Sequence, residues 1–302
     1  MEIEKVNTPG LPIITVIIPT YHDWDRLQLC FNALGNQTIP RDSIEIIVIN
    51  NDPADLSPQK LDVPSNAKII TEPRPGSYAA RNTAVRQSRG SILAFTDSDC
   101  IPENDWLERA LEKFQNNTVD RIGGKVVVFC KDDNQKSSAE LYDTVFAFQQ
   151  EKAINKIGYS VTANLIVRKS RFLEVGYFND KLYSGGDHEW NMRANKKGLS
   201  LIYTPDVIVN HPARKTIREL EKKVRRVMGS GSWSISQNFF EELYNRLYMF
   251  LSKFVKLALV TLRTKKLTIS EKRKVIKVIL HLYLASVDEY HRLRKGGNAN
   301  RE

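Results

Sequence analysis

Ser91–Cys100 reads Ser-Ile-Leu-Ala-Phe-Thr-Asp-Ser-Asp-Cys and places the carboxylates of Asp97 and Asp99 directly after an apolar run. The run Ile92–Phe95 is typical of a strand that is buried on both faces of a parallel sheet. Ligands of open α/β sheets bind beyond the carboxyl ends of the strands, and Mg²⁺ or Mn²⁺ takes one or two carboxylates together with substrate phosphate oxygens. The stretch therefore predicts a metal–diphosphate site at a strand end, and an ordinary polar turn before a helix near Pro102 is the alternative.

Strand and helix signals alternate through the first half of the chain. β-branched runs are stopped by polar residues or proline, and each is followed by a stretch of helical periodicity. This pattern predicts an α/β fold with a mostly parallel, doubly wound sheet and right-handed crossovers. The predicted strands are residues 13–18, 44–49, 68–71, 91–96 and 122–129, and the predicted helices are residues 23–34, 77–88, 106–114 and 139–152.

The composition is that of a globular protein with a large core, since 41% of the 302 residues are hydrophobic and 26% are charged. The three cysteines, Cys30, Cys100 and Cys130, lie far apart and lack the spacing of a zinc site or a disulfide framework. The N-terminus has no signal-peptide pattern, and no run of about 18 apolar residues is present. We therefore expect a cytoplasmic protein without disulfides, zinc or a membrane span.

The net charge of +10 is concentrated in the C-terminal third. Residues 1–210 hold 24 basic and 27 acidic side chains, whereas residues 211–302 hold 21 basic and eight acidic ones. This asymmetry predicts a nearly neutral body and a cationic tail that is attracted to an anionic surface. No basic strand interleaved with aromatic residues is present, and we expect no binding of nucleic acid.

Three further segments accompany the two carboxylates. They are Pro19–His22 after the first strand, Glu45–Asp52 along and beyond the second strand, and Pro75–Asn82 (Pro-Gly-Ser-Tyr-Ala-Ala-Arg-Asn) before Asp97–Asp99. In this order they resemble the family 2 glycosyltransferases, which have the Rossmann-like GT-A fold. The resemblance spans about Ile13 to Arg214.

The resemblance implies a binding site for a nucleotide-diphosphate sugar. It assigns donor binding to Pro19, Tyr21, Asn50, Asn51, Arg81, Asn82, Asp97 and Ser98, and it assigns a Mn²⁺ or Mg²⁺ ion to Asp99, Asp97 and His211. The family reads uracil and ribose after the second strand, so a UDP-sugar is favoured. Asn50 stands where the family usually has an acid, and its amide offers both a donor and an acceptor. His211 alone is equally typical of a surface or structural histidine.

A second cluster, Ser184–Trp190 (Ser-Gly-Gly-Asp-His-Glu-Trp), opens a predicted helix. It resembles the family's Gly-Glu-Asp-x-Asp/Glu motif and implies that Asp187 is the catalytic base of an inverting transfer. Gly186 replaces the acid that precedes the base in the family, and Glu189 occupies the acidic position that follows. A role for Asp187 as a helix N-cap only is the alternative.

Between the two clusters, Val161–Arg168 resembles the family's acceptor-side strand, in which small residues let a sugar approach the backbone. The resemblance implies a glycan or lipid-linked acceptor and a role in cell-surface polysaccharide or glycolipid synthesis.

The tail calls for a separate interpretation. We predict a GT-A domain over residues 1–213 and a basic amphipathic helical extension over residues 214–302. Apolar residues at helical spacing within Phe239–Leu262, bordered by cations, predict a helix that lies on the inner face of the cytoplasmic membrane. A second amphipathic helix is expected over Ser270–Leu293. Packing on the domain, or on a second subunit through these helices, is the alternative.

Two other classes of function fit parts of the sequence. Haloacid-dehalogenase-type phosphatases also carry Asp-x-Asp after an apolar strand, but usually close to the N-terminus, where the first Asp is a nucleophile. A non-catalytic protein that binds membranes or nucleic acid through its basic tail is the other alternative. Hydrolysis of nucleotide sugars with and without Mn²⁺ separates these possibilities.

Overall fold

The computed structural model describes residues 11–229 and 252–298 of the chain. Strands and helices alternate through its first half, and the predicted α/β class is confirmed. The strands are β1 Ile14–Thr20, β2 Ile44–Asn50, β3 Ala67–Thr71, β4 Ile92–Phe95, β5 Ile101–Pro102, β6 Arg121–Phe129, β7 Leu165–Arg168 and β8 Leu201–Pro212. The helices are α1 Trp24–Gly35, α2 Ser77–Gln87, α3 Trp106–Phe114, α4 Ser138–Phe146, α5 Gln150–Ile157, α6 Lys169–Val175, α7 Gly186–Lys196, α8 Ile217–Gly229, α9, of which residues 252–263 are described, and α10 Ile269–Arg294.

The described strands form one sheet in the order β3-β2-β1-β4-β7-β6-β8-β5. The four strands β3, β2, β1 and β4 are parallel to one another, as the sequence predicts. The pairs β4–β7, β6–β7 and β5–β8 are antiparallel. Because parallel strands end at the same edge of a sheet, the segments that follow β1, β2 and β4 leave the sheet on one side.

Apolar side chains from both faces of the parallel strands form the core. Val16 and Ile18 of β1 point to one face, whereas Ile17 points to the other, because successive side chains of a strand alternate. Helices α1 and α3 cover the first face with Leu27, Phe31 and Trp106, among others. Helices α2, α6 and α7 cover the second face with Ala84, Phe172 and Trp190, among others.

Contacts divide the chain into two compact units. Among the described residues, the first comprises those up to Val127 together with Phe148–His211, and the second comprises Val128–Ala147 together with those from Pro212 onward. The C-terminal part of the second unit begins at Pro212, close to the predicted boundary after residue 213. The second unit differs from the prediction in that Val128–Ala147, which we assigned to the catalytic domain, belongs to it.

One predicted helix is wrong in its extent. The single helix expected over residues 139–152 consists of α4 and α5, which are separated at Ala147–Gln149. Phe148 has a backbone φ of +48°, which a continuous α-helix does not allow. The physical reason for the break is that α4 buries Ala139 in the second unit whereas α5 buries Ile154 in the first.

Within the second unit, helices α4, α8 and α10 share a small apolar core that contains Ala139, Leu220, Val278 and Leu282. The predicted final helix is present as α10, and its N-terminus carries a capping box between Thr268 and Glu271. Residues 239–251 of the predicted amphipathic segment lie outside the described residues, whereas 252–263 are helical. Over the described ranges, no helix combines the length and apolarity needed to cross a bilayer.

Candidate active site

Asp97, Asp99 and His211 lie together in the first unit. Asp97 and Asp99 follow β4, and antiparallel pairing of β5 with the end of β8 places Ile101 opposite Asn210 and so brings His211 beside Asp99. His211 Nε2 lies 3.4 Å from Asp99 Oδ2. One ligand atom each from Asp97, Asp99, Cys100 and His211 lies within 4.8 Å of all the others. The three residues that the sequence singles out for a metal are therefore brought to one place.

The chemistry of this cluster fits a divalent cation. Carboxylate oxygens are the preferred ligands of Mg²⁺ and Mn²⁺, and an imidazole nitrogen suits transition metals. Cys100 is fully buried, and its burial, together with the charges of Asp97 and Asp99, raises the pKa of the thiol well above its ordinary value. Thiolate is a soft ligand that Mg²⁺ and Mn²⁺ do not favour, so Asp97, Asp99 and His211 are the residues that fit such an ion.

Two arginines neutralise these carboxylates. Arg81 forms an ion pair with Asp97, and Arg26 Nη1 lies 3.4 Å from Asp99 Oδ2. Arg26 also donates from Nε to Asp23 Oδ1 at 2.6 Å. The sequence analysis missed Arg26, although its place three residues after Asp23 on a helix is the spacing of an ion pair.

Ser98 is turned toward a neighbouring carboxylate. Its hydroxyl donates to Asp23 Oδ2 at 2.9 Å, so that it lies at the predicted site but is engaged with protein. Burial raises the pKa of Asp23, and the nearby charge of Asp99 acts in the same direction. Asp23 precedes α1, yet its side chain makes no capping hydrogen bond, since it is used by Arg26 and Ser98.

Arg81 is buried beneath the site, with only 3% of its surface exposed. Its guanidinium carbon lies 5.7 Å from the centre of the Tyr78 ring, one helical turn earlier on α2. Its Nε atom is buried and has no hydrogen-bond partner among the residues that the structure describes. The resemblance implies that Arg81 contacts phosphate. In the structure Arg81 also forms an ion pair with Asp97.

Asp187 lies in the first turn of α7. Its Oδ1 accepts hydrogen bonds from the Tyr78 hydroxyl at 3.2 Å and from the backbone N–H of His188 at 2.8 Å. The N-cap residue of α7 is Gly185, so the alternative that Asp187 is only an N-cap is wrong. Glu189 forms an ion pair with Arg193, with Nε and Oε1 2.7 Å apart.

The ring of Tyr78 explains the glycine that precedes Asp187. A Cβ atom at Gly186 would lie 2.7 Å from Cε2 of Tyr78, a distance that real Cβ atoms do not reach. Tyr78 therefore contacts both Gly186 and Asp187, while Arg81 joins Tyr78 to Asp97. Contacts thus run continuously from Asp187 to the carboxylate cluster within the first unit.

Three amides predicted to bind the donor are used inside the protein. Asn50 donates to Asp55 O and accepts from Asp52 N–H. Asn51 donates to the backbone of the loop before α2 and accepts from Gly76 N–H at 2.8 Å. Asn82 exchanges two hydrogen bonds with the backbone of Phe178. These bonds hold the loops around the site and use both amide hydrogens of Asn51. Donor binding by the three amides stays a prediction.

Pro19 and Tyr21 lie where the first strand leaves the sheet. Pro19 pairs with Ile49 of β2, and the half-buried Tyr21 ring packs edge-on against His22 with centroids 4.3 Å apart. His22 has a φ of +51° and contacts Asp52 through Nε2 at 2.9 Å. Tyr21 therefore lies beside the turn after β2, at the edge of the sheet that also carries the carboxylates.

The predicted acceptor-side segment is buried. Thr162–Asn164 forms a short 3₁₀ helix before β7. Asn164 donates to Lys125 O and Val207 O and accepts from Trp106 Nε1. The side chains of Thr162–Val167 are buried, and the approach of a sugar to the backbone of this segment stays a prediction.

The family model described as glycosyl transferase family 2 matches residues 15–175, which is more than half of the chain. The chain is a family 2 glycosyltransferase. The glycosyltransferase AglE of Haloferax volcanii is 40% identical over 223 residues, which are 72% of this chain and 73% of that protein. A dolichyl N-acetyl-α-D-glucosaminyl phosphate 3-β-D-2,3-diacetamido-2,3-dideoxy-β-D-glucuronosyltransferase of Methanococcus voltae is 21% identical over 90% of both chains.

Solved structures show that this glycosyltransferase has the GT-A fold. A mannosyltransferase from Pyrobaculum calidifontis in complex with GDP-Man and Mn²⁺ superimposes with a TM-score of 0.58 at 18% identity, over 93% of this chain and 87% of that one. Residues 1–349 of S. aureus TarS, in complex with UDP-GlcNAc, superimpose with a TM-score of 0.53 at 17% identity, over 94% of this chain and 92% of that one. Family membership excludes the phosphatase and non-catalytic alternatives.

Proposed function

We propose that this glycosyltransferase moves a sugar from a nucleoside-diphosphate sugar to a hydroxyl of a lipid-linked glycan, with inversion at the anomeric carbon. The observation that carries the proposal is the unbroken set of contacts from Asp187 through Tyr78 and Arg81 to Asp97. It brings a carboxylate able to accept a proton close to a cluster able to hold a metal–diphosphate group.

On the donor side, Asp97, Asp99 and His211 would hold Mn²⁺ or Mg²⁺. When bound, the ion neutralises charge on the leaving diphosphate. Arg81 orients Asp97, and Arg26 supplies a second positive charge beside Asp99. The Tyr21 ring offers a surface on which a base can stack. One structural neighbour binds GDP-Man and another UDP-GlcNAc, and we retain UDP as the favoured nucleotide.

On the acceptor side, Asp187 is the proposed general base. It takes the proton of the acceptor hydroxyl as that oxygen attacks the anomeric carbon on the face opposite the diphosphate. A single displacement of this kind inverts the configuration. Glu189 is less suited to the role, because Arg193 holds its carboxylate.

The lipid-linked acceptor is supported by the Methanococcus voltae relative, whose name describes transfer to a dolichyl phosphate-linked sugar. A lipid-linked acceptor places the reaction at a membrane surface, in the synthesis of a surface polysaccharide or glycolipid. We propose that the enzyme works there from the cytoplasmic side.

Helix α9 has an apolar face that is suited to binding a membrane surface. Val255, Leu259 and Leu262 recur at the spacing of one helix face and are 50%, 43% and 53% exposed. Lys256 and Arg263 stand next to this face in the sequence. An apolar face bordered by cations is the pattern of an interfacial helix on anionic lipid. A second copy of the chain is the alternative occupant.

The decisive experiment is a panel of UDP- and GDP-sugars, incubated with the full-length enzyme in Mn²⁺ or in EDTA. Release of nucleoside diphosphate identifies the donor, and NMR recorded as the free sugar is released, before its anomers equilibrate, gives the anomeric configuration. We expect nucleoside diphosphate to be released from one or a few of the donors, and only when metal is present. The sugar should have the inverted anomeric configuration. Release that is undiminished in EDTA, or retention of configuration, would contradict the proposal.

A further inference from the structure

We infer that Tyr78 is a positioning residue for the carboxylate of Asp187. The inference deepens the proposed function, since it rests on Asp187 as the base. The Tyr78 hydroxyl and the His188 N–H both donate to Oδ1. Every hydrogen bond that the described residues make to this carboxylate falls on that one oxygen. The arrangement fixes the rotation of the carboxylate and directs Oδ2 to the incoming hydroxyl.

Tyr78 is suited to act as a fixed donor. Its side chain is 5% exposed, and its ring packs against Phe178 with centroids 5.5 Å apart. Burial, and then the charge of Asp187, raises the pKa of Tyr78 well above its ordinary value. The phenol therefore stays protonated throughout the neutral range and donates its hydrogen.

Gly186 makes this contact sterically feasible. A methyl group at this position would lie 2.7–2.9 Å from three atoms of the Tyr78 ring. The family motif has an acidic residue here, whereas this chain has glycine and fills the space with a phenol. The departure from the motif and the hydrogen bond to Asp187 thus have one structural cause.

The charged and titratable groups around Asp187 come from three parts of the first unit. Helix α2 contributes Tyr78 and, behind its ring, Arg81. The segment after α5 contributes Tyr159, whose pKa is raised by burial and then by Asp187. Helix α7 itself contributes His188, which packs against Tyr159, and Glu189, which pairs with Arg193.

Removing the phenol hydroxyl should free the Asp187 carboxylate to rotate, because it removes one of the two hydrogen bonds that the described residues make to Oδ1. We therefore expect Tyr78→Phe to shift the ¹³C resonance of the Asp187 carboxyl carbon and to slow transfer. The matched control is Tyr159→Phe, which removes the hydroxyl of the second phenol near Asp187; within the described residues this hydroxyl makes no hydrogen bond to Asp187. Its effect should be less than half as large.

The measurement is the ¹³C NMR chemical shift of the Asp187 carboxyl carbon at pH 7, in protein labelled at the aspartate carboxyl carbons, with the resonance assigned by its loss in Asp187→Asn. This readout needs no substrate and would not move if Tyr78 served only packing. With the donor found in the panel, kcat and KM are then measured separately. The rate should fall roughly 10-fold to 100-fold, with KM for the sugar nucleotide unchanged.

A second variant guards against misfolding of the first. Gly186→Ala must displace the Tyr78 ring and should shift the Asp187 carboxyl resonance in the same direction. An unchanged Asp187 resonance in both variants, with native circular dichroism, would overturn the inference and leave the proposed function intact. Full transfer by Asp187→Asn would instead overturn the base assignment, whatever the NMR spectra show.

Discussion

Asp187 and Glu189 lie two residues apart on α7 but have different surroundings. We expect Asp187→Asn to reduce transfer by about 10²- to 10⁴-fold, because an amide keeps the shape of the carboxylate but cannot accept the hydroxyl proton. Donor binding should persist, as measured by calorimetry with the sugar nucleotide identified in the panel.

Glu189→Gln is the matched control for this variant. Its carboxylate pairs with Arg193, so the change should weaken a local contact and leave most of the transfer rate. If the two variants exchanged these phenotypes, the base would be Glu189.

Binding of the metal ion should depend most directly on Asp99, because this residue contacts both His211 and Arg26. We expect Asp99→Ala to abolish the Mn²⁺-dependent binding of UDP or GDP in calorimetry, since the remaining protein ligands are too few to hold the ion with the diphosphate. Asp133→Ala, at a carboxylate that is 82% exposed, serves as the control and should bind as wild type does. Equal binding by wild type in EDTA would rule out the metal role.

The sequence was sufficient to find the carboxylates of the site but not the partners of its amides. Asp97 and Asp99 could be identified because they follow an apolar strand, and the motif implied Asp187. The hydrogen-bond partner of Asn82 is the backbone of Phe178, 96 residues away, and no local sequence pattern predicts such a bond. Tyr78 was missed for the same reason, since its contact with Asp187 spans 109 residues.

At the scale of elements, Glu72 ties the end of β3 to helix α2. It accepts hydrogen bonds from the backbone and guanidinium of Arg74, each at 2.9 Å, and from Thr83 of α2. The hydrogen bond from the Arg74 guanidinium, more than the opposing effect of burial, lowers the pKa of Glu72 to about 2. The carboxylate therefore fixes the loop that leads to the Tyr78 and Arg81 helix.

We expect Glu72→Gln to lower the free energy of unfolding by about 1 to 3 kcal/mol at pH 7. Because the pKa is depressed in the folded state, this stabilisation is complete above the ordinary value of about 4.3 and is lost as the pH falls toward 2. Urea unfolding at pH 7 and pH 3.5 should show the gap between wild type and variant narrowing. Glu112→Gln, on the exposed face of α3, is the control, and its free energy of unfolding should differ little from that of wild type at either pH. A difference between wild type and Glu72→Gln that widened in acid would contradict the assignment.

Local sequence patterns were reliable for regular elements and unreliable where tertiary packing decides. The β-branched runs Ile14–Thr20 and Ile44–Asn50 are strands, and Trp106–Phe114 is a helix with the predicted bounds. The break at Phe148 was missed because the residues on both sides of it favour a helix. It arises because the flanking helices join different cores, which periodicity within one segment does not encode.

For the whole molecule, the concentration of positive charge after residue 211 leads to a prediction about membranes. We expect full-length protein to co-sediment with phosphatidylglycerol vesicles, less so as salt rises, since each Lys or Arg near such a surface contributes about 1 kcal/mol. Replacing Val255, Leu259 and Leu262 together by serine should weaken this binding and leave hydrolysis of the donor unchanged.

The control for this experiment is Leu173→Ser, at an exposed leucine of α6 in the first unit. It should bind vesicles as wild type does. Point substitutions are preferable to truncation from Phe239, because truncation removes α10 and with it Val278 and Leu282 of the shared core. Equal binding by the triple variant, with a change in sedimentation velocity, would favour a second copy of the chain as the occupant.

The division of the chain has a consequence for how such enzymes diversify. Helix α4 lies within the residues that match the family model, yet it packs with α8 and α10 in the second unit. A recombination that exchanged only the sequence after His211 between two relatives would pair one parent's α4 with the other parent's α8 and α10. Inheritance of the C-terminal part is therefore tied to a 20-residue stretch in the middle of the gene, Val128–Ala147, and functional chimeras should need both pieces from the same parent.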